Sequence, residues 1–303
     1  MSETGFLLRN LPFALEKDIA WRFNVRLHRR PSSAPFLSGD TYRAKAGLVI
    51  EENEEFIRTS PDTQGLVFCA SSLAAARVAT IAQPDPFVLV VHHGDIPVGE
   101  DFRRQLDSSR CVHCFAQNCL VQDPRVTPLP IGLEDQWRHH HGVVRDFVKL
   151  RRKSVEKIPR IVWGFSLQTN PDERWPCYRA LVRHPLGVSI TPGINSRLYR
   201  GFVRPYMFMA SPPGNGLDCH RTWEALYLGI VPIVKRSLLT EYFAALGLPF
   251  LILDDWRELD SMNEERLSET YERLKPGFDC EALWLPYWQG QFEARLAEGP
   301  VNT

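Results

Sequence analysis

The chain lacks the extremes that assign a protein to a class at once. Its 303 residues carry no net charge, 36 Lys plus Arg against 36 Asp plus Glu. General nucleic-acid binding needs a basic footprint and is set aside, although a local basic pocket is compatible with a neutral total. No segment approaches the roughly 20 apolar residues that span a bilayer. The short apolar stretch Phe6-Leu7-Leu8 is interrupted by Arg9, unlike the core of a secretory signal. A cytoplasmic protein is expected, with at most peripheral membrane association. No repeat of fixed short period is visible, which excludes a solenoid. A dinucleotide oxidoreductase expects G-x-G-x-x-G after an early strand and an acidic residue about 20 positions on; neither stands near the amino terminus.

Cysteine gives little more. The seven thiols are odd in number and scattered, at 69, 111, 114, 119, 177, 219 and 280. Cys111 and Cys114 have the spacing of half a zinc site, but His113 lies between them and no second pair follows. Buried, reduced thiols are the expectation. The run His139-His140-His141 reads as a solvated patch, since three consecutive residues cannot share one helix face. No metal and no cofactor is expected.

What is present is a long alternation of apolar, β-rich runs with helical stretches. Strands are expected at 46–50, 65–70, 87–91, 111–116 and 126–130, with a serine-capped helix over 71–81. A polar, basic stretch over 137–157 follows, ending in Lys149-Leu150-Arg151-Arg152-Lys153. The pattern then restarts. Strands are expected at 160–165, 187–191, 206–210, 230–234 and 249–253, with helices over 175–183, 218–229, 238–246 and 262–275. Alternation of this kind implies parallel sheets flanked by helices. We therefore expect an α/β chain with two Rossmann-like domains, 1–150 and 151–303, whose parallel sheets face each other across a cleft.

The segment 211–234, SPPGNGLDCHRTWEALYLGIVPIV, is the most informative. Gly214 and Gly216 let the backbone turn and approach a ligand closely, with Asn215 between them. Asp218 is placed as an N-cap, so that free N–H groups and the positive helix end favour an anion. Arg221 completes a charge-assisted clamp on phosphate, and Glu224, one turn on, accepts hydrogen bonds from ribose hydroxyls. A tight turn with a solvated first helical turn is the plainer alternative. In the second half's first loop, Ser166, Thr169 and Asn170 are donors to phosphate and Arg174 can pair with it; Asn170 as N-cap with Pro171 at N1 is the alternative.

DCHRTWEALYLGIVPIV resembles the donor-binding segment of exostosin-like glycosyltransferases of the soluble bacterial and viral type: an R-x-x-E-A-L helix, a glycine, then a P-V/I-V strand. The matching positions are Arg221, Glu224, Ala225, Leu226, Gly229 and Pro232. The match is specific for this unit and moderate over 87–135 and 160–258. The resemblance implies a GT-B fold and a transferase that moves a sugar from a nucleotide-diphosphate donor, uridine-linked, to a glycan hydroxyl. It implies inversion and no metal, because basic residues and a helix end neutralise the leaving diphosphate. It makes Asp95 the first candidate for the base and His93 the second, as part of a strand-end H-x-G-D. It places Asn118 (A-Q-N) and Glu134 (P-I-G-L-E) on the acceptor side, and Asp255 (D-W) beside the donor or as a cap. The partners implied are a nucleotide sugar and a glycan or glycoconjugate. A non-catalytic nucleotide- or carbohydrate-binding protein that keeps the fold is the competing expectation; it would bind donor without turnover.

Overall fold

The computed structural model describes residues 19, 22–23, 26–27, 30–51, 54–58, 65–81, 86–138, 141–190 and 196–298. The first half runs α1 (Gly39–Arg43), β1 (Leu48–Glu51), β2 (Glu54–Arg58), β3 (Leu66–Ala70), α2 (Ser71–Arg77), β4 (Phe87–His92), α3 (Glu100–Leu106), β5 (Cys111–Ala116) and β6 (Val126–Pro128). LVFCA in β3 and FVLVVH in β4 are buried throughout, as unbroken apolar strands must be when both faces of a parallel sheet are covered. The order is β2-β1-β3-β4-β5-β6, with only β2 antiparallel to its neighbour.

Because consecutive strands lie side by side, right-handed crossovers put α2 and α3 on one face. Ala74, Val78, Phe102 and Leu106 pack there against Val67 and Leu89. Ala70 rather than a serine stands at the N-cap of α2, and no side chain caps it. The expected serine cap is thus absent, because Ser71 is already inside the first turn.

A helix α4 (Val144–Arg151) straddles the boundary, and the second half runs β7 (Ile158–Trp163), α5 (Pro171–Val182), β8 (Gly187–Ser189), α6 (Ser196–Val203), β9 (Tyr206–Ala210), α7 (His220–Tyr227), β10 (Val231–Lys235), α8 (Leu238–Ala245), β11 (Leu251–Leu253), α9 (Glu264–Leu274) and α10 (Leu285–Glu298). Its five strands are all parallel, in the order β11-β10-β9-β7-β8. The first strand, β7, therefore has the second, β8, on one side and the third, β9, on the other. The direction of winding reverses between β7 and β9, and in open α/β sheets ligands bind beyond the carboxyl ends of the strands at such a point.

The two halves share a core. One apolar cluster joins Phe68 and Val90 of the first sheet to Val162 and Met209 of the second, through Trp223 and Tyr227 of α7. The last helix returns to the first sheet, where Phe292 meets the Phe115 ring edge-on at 4.7 Å. Loops at the carboxyl ends of the two sheets meet, as Asn118 after β5 bonds to Asp218 after β9. The chain is α/β, with two Rossmann-like sheets, parallel but for β2, whose carboxyl-end loops meet. Among the described residues, no helix is long and apolar enough to cross a membrane.

Candidate active site

At the switch point, β7 ends at Trp163 and β9 at Ala210, and the loops 164–170 and 211–219 leave side by side. Asn170 caps α5, its side chain accepting from the Glu173 amide at 3.4 Å with Pro171 in the first turn. Its amide nitrogen also donates to the Gly214 carbonyl at 3.0 Å. Arg174 donates from Nε to the Pro213 carbonyl at 2.9 Å and from Nη1 to the Ser166 carbonyl at 2.8 Å. Arg174 is thus a buried brace between the two loops, its guanidinium turned to main-chain oxygens. A Cβ on Gly214 would stand 2.9 Å from Arg174 Nη2, so glycine permits the brace. Ser166 and Asn215 are exposed at the mouth, and Thr169 is half-buried.

The helix α7 begins one residue later than its sequence suggests. Cys219 is the N-cap and offers no side-chain cap, whereas Asp218, expected in that role, turns inward. Its carboxylate accepts from the Ile131 amide at 2.9 Å, from Trp223 Nε1 at 2.8 Å and from the Cys219 amide at 2.8 Å. Burial raises its pKa to about 6 despite those donors. The reason is tertiary: the Ile131 donor comes from the other half of the chain, which no local pattern reveals.

Arg221 lies in the first turn of α7, its guanidinium carbon 5.7 Å from the centre of the Phe165 ring. Among the described residues no carboxylate lies within ion-pair distance of it. Glu224, on the same face, is buried, and burial raises its pKa to about 7; Arg200 and Arg221 oppose the rise and Glu134 adds to it. His141 Nδ1 lies 3.9 Å from its Oε1. Glu134 accepts from the His141 amide at 2.8 Å. The expected acceptor-side and donor-side carboxylates therefore flank one residue.

Across the cleft, Asn118 adopts a positive φ of 52° and is wholly buried. It donates to the Gly94 carbonyl at 3.3 Å and accepts from the Asp218 amide at 3.0 Å. A Cβ on Gly216 would fall 2.6 Å from its Nδ2. Asn118 thus rivets the two halves. Asp95, next to Gly94, is exposed on the same edge. His93 is placed differently: Nδ1 lies 2.8 Å from Glu51 Oε1 and Nε2 3.1 Å from Asp135 Oδ2. Burial opposes its charge, but these carboxylates hold its pKa up to about 9. Both ring nitrogens face carboxylates, not the cleft.

Asp255 caps the turn at Trp256–Ser261, accepting from the Arg257 amide at 2.8 Å and pairing with the Arg257 side chain. Half-buried Lys235 donates to the Asp254 carbonyl, and Arg236 pairs with Asp254 and Glu241, these three exposed. The seven cysteines are free thiols, with Cys111 and Cys114 buried in β5. His139 and His140 lie outside the described residues, as does residue 191 of the expected strand 187–191. Two residues of the site carry no signal in the sequence: Arg200, which is wholly buried and donates to Asp146 and, at 2.9 Å, to the His141 carbonyl, and Phe165; no local spacing marks either.

Solved glycosyltransferase structures are among the chain's structural neighbours. A spinosyn rhamnosyltransferase, SpnG, complexed with spinosyn aglycone matches with a TM-score of 0.36 and 14% identity over 78% of this chain and 70% of that one. The form described without a ligand gives 0.35 and 13%, and the form complexed with thymidine diphosphate 0.32 and 14%, with the same coverage. No family model matches the chain, and neither does any curated protein sequence.

Proposed function

We propose that the chain is a glycosyltransferase of the exostosin-like kind, which takes a sugar from a nucleoside diphosphate, uridine-linked, and transfers it with inversion to a glycan hydroxyl. The observation that carries this is the switch point between β7 and β9: the two loops that leave it lie side by side, braced by Arg174, and Arg221 stands there without a carboxylate partner among the described residues. The diphosphate would lie against the amino end of α7, where unpaired amides and the helix field favour an anion. Arg174 holds the two loops in register. Glu224, one turn beyond Arg221, receives the ribose hydroxyls, and binding them offsets its burial.

Asp95 is the proposed base. It takes the proton of the acceptor hydroxyl as that oxygen attacks the anomeric carbon, and the bond to the diphosphate breaks. Arg221 and the end of α7 stabilise the charge that develops on the leaving group, so no metal is needed there. The acceptor half is 1–150 and the donor half 151–303, with Glu134 and Asn118 on the acceptor side. Action in the cytoplasm completes the reading.

A thermal-shift panel of nucleotide sugars tests it. A rise in melting temperature with one diphosphate donor, and turnover of that donor with a glycan acceptor, is the expected result. Binding without turnover on any acceptor would instead favour the non-catalytic reading.

A further inference from the structure

A second cluster lies in the first half, away from the switch point, and is built from distant parts of the chain. Asp40 comes from α1, Glu51 from the end of β1, His93 from the residue after β4, and Asp135 from the turn after the Pro130–Glu134 segment. His93 is held at a positive φ of 55°, which a non-glycine residue adopts at a cost and which concentrates at functional positions. Gly39 faces it: a Cβ there would fall 2.1 Å from Nε2 and 2.2 Å from Cδ2, so any other residue would collide with this edge of the ring.

Two groups in front of Nε2 are left without an aligned donor. Among the described residues neither oxygen of the fully buried Asp40 carboxylate is aligned in a hydrogen bond, although Arg30 Nε lies 3.0 Å from Oδ1, and nor is His93 Nε2. Nε2 lies 3.1 Å from Asp135 Oδ2 and 3.7 Å from Asp40 Oδ1, yet it is aligned for a hydrogen bond with neither. Nδ1 is aligned, 2.8 Å from Glu51 Oε1. The three candidate ligand atoms lie within 4.8 Å of one another. Ligands at ordinary nitrogen and oxygen distances on a tetrahedral ion stand roughly 3.4 Å apart, between the two separations seen.

We propose that Asp40, His93 and Asp135 bind a divalent transition-metal ion of the zinc or manganese type. His93 coordinates through Nε2, and Nδ1 donates to Glu51, the outer carboxylate that fixes ring and tautomer in histidine metal sites. One imidazole and two carboxylates suit these borderline-to-hard ions. Arg30, whose Nε lies 3.0 Å from Asp40 Oδ1, and Arg43, 3.1 Å from Glu51 Oε2, balance the surrounding carboxylate charge. Asp135 Oδ1 accepts from the Asp40 amide at 2.8 Å, which leaves Oδ2 for the ion. The site would tie α1, the end of β4 and the loop after β6 together, behind the edge that carries Asp95.

The rival account is a closed ion network in which His93 shares its proton with the carboxylates. Cobalt(II), added to full-length protein stripped with chelator, separates the two through its visible d–d absorption. The proposal expects a saturable band from one site, displaced by zinc, lost in Asp40→Asn and Asp135→Asn, and retained in the double variant Cys111→Ser/Cys114→Ser. Glu51→Gln should keep the band with affinity weakened on the order of ten- to a hundredfold. This variant keeps all three ligands, and circular dichroism checks that it and the Asn variants are folded. No saturable band, a band unchanged in both Asn variants, or a sulfur-to-cobalt charge-transfer band would each overturn the assignment.

Discussion

Arg174 and Arg221 converge on one aromatic ring: their guanidinium carbons lie 5.8 and 5.7 Å from the centre of Phe165. Two like charges held that close disfavour each other, and Arg221 contributes to lowering the pKa of Arg174 after burial, the larger cause. The two differ in employment. Arg174 is occupied by the carbonyls of Ser166 and Pro213, whereas Arg221 has no carboxylate partner among the described residues. An anion at the amino end of α7 would relieve the repulsion and complete the site.

The brace predicts a stability effect. Arg174→Ala removes two hydrogen bonds from a buried, charged donor and unmoors both loops. A loss of roughly 2–4 kcal/mol in urea unfolding is expected. Arg221→Ala, which gives up a hydrogen bond with the Tyr199 hydroxyl but none to a loop carbonyl, should change stability by less than about 1 kcal/mol.

Glu224 predicts a pH dependence. Its folded pKa, raised by burial to about 7, lies above the ordinary value of 4.5. The folded chain therefore binds more protons than the unfolded one between those values, and the stability from this group falls as pH rises from about 4.5 to about 7. Glu224→Gln should remove that part of the fall, on the order of 3 kcal/mol across the window. Unfolding free energies of the two proteins at pH 5 and pH 8 check it; parallel curves contradict it.

Asp218 predicts a seam. Asp218→Ala strips the acceptor from the buried Ile131 amide and Trp223 indole. Roughly 3–5 kcal/mol of stability should be lost by chemical denaturation. A variant as stable as the parent would show that the two halves do not depend on this carboxylate.

The base predicts a separation of binding from chemistry. Asp95→Asn should lower kcat by roughly 100- to 10,000-fold while nucleotide-diphosphate affinity is unchanged. Steady-state transfer rates and calorimetry on the same preparation check both halves. Unimpaired turnover would remove Asp95 from the chemistry.

Much of the fold is legible because its strands are short, apolar and separated by helical stretches. The unit 211–234 is readable for the same reason: its glycines, arginine, glutamate and returning strand are local. Asp218 shows where local reading fails, since an aspartate before a helix looks like a cap, yet its decisive donor is the amide of Ile131. Arg174 looks like a phosphate ligand beside Asn170, but the carbonyls that claim it include Pro213, 39 residues on. Nothing in the sequence marks Asp40 and Asp135, 95 residues apart, as neighbours of His93. The reversal of winding between β7 and β9 is likewise a property of strand order, which alternation alone does not specify.

The central claim is that the amino end of α7, with Arg221, holds the diphosphate of a sugar nucleotide. Isothermal titration of UDP into the parent and into Arg221→Ala tests it most directly. Binding by the parent, weakened at least tenfold in a variant of unchanged melting temperature, is the predicted result. Equal affinity in the two proteins would contradict it.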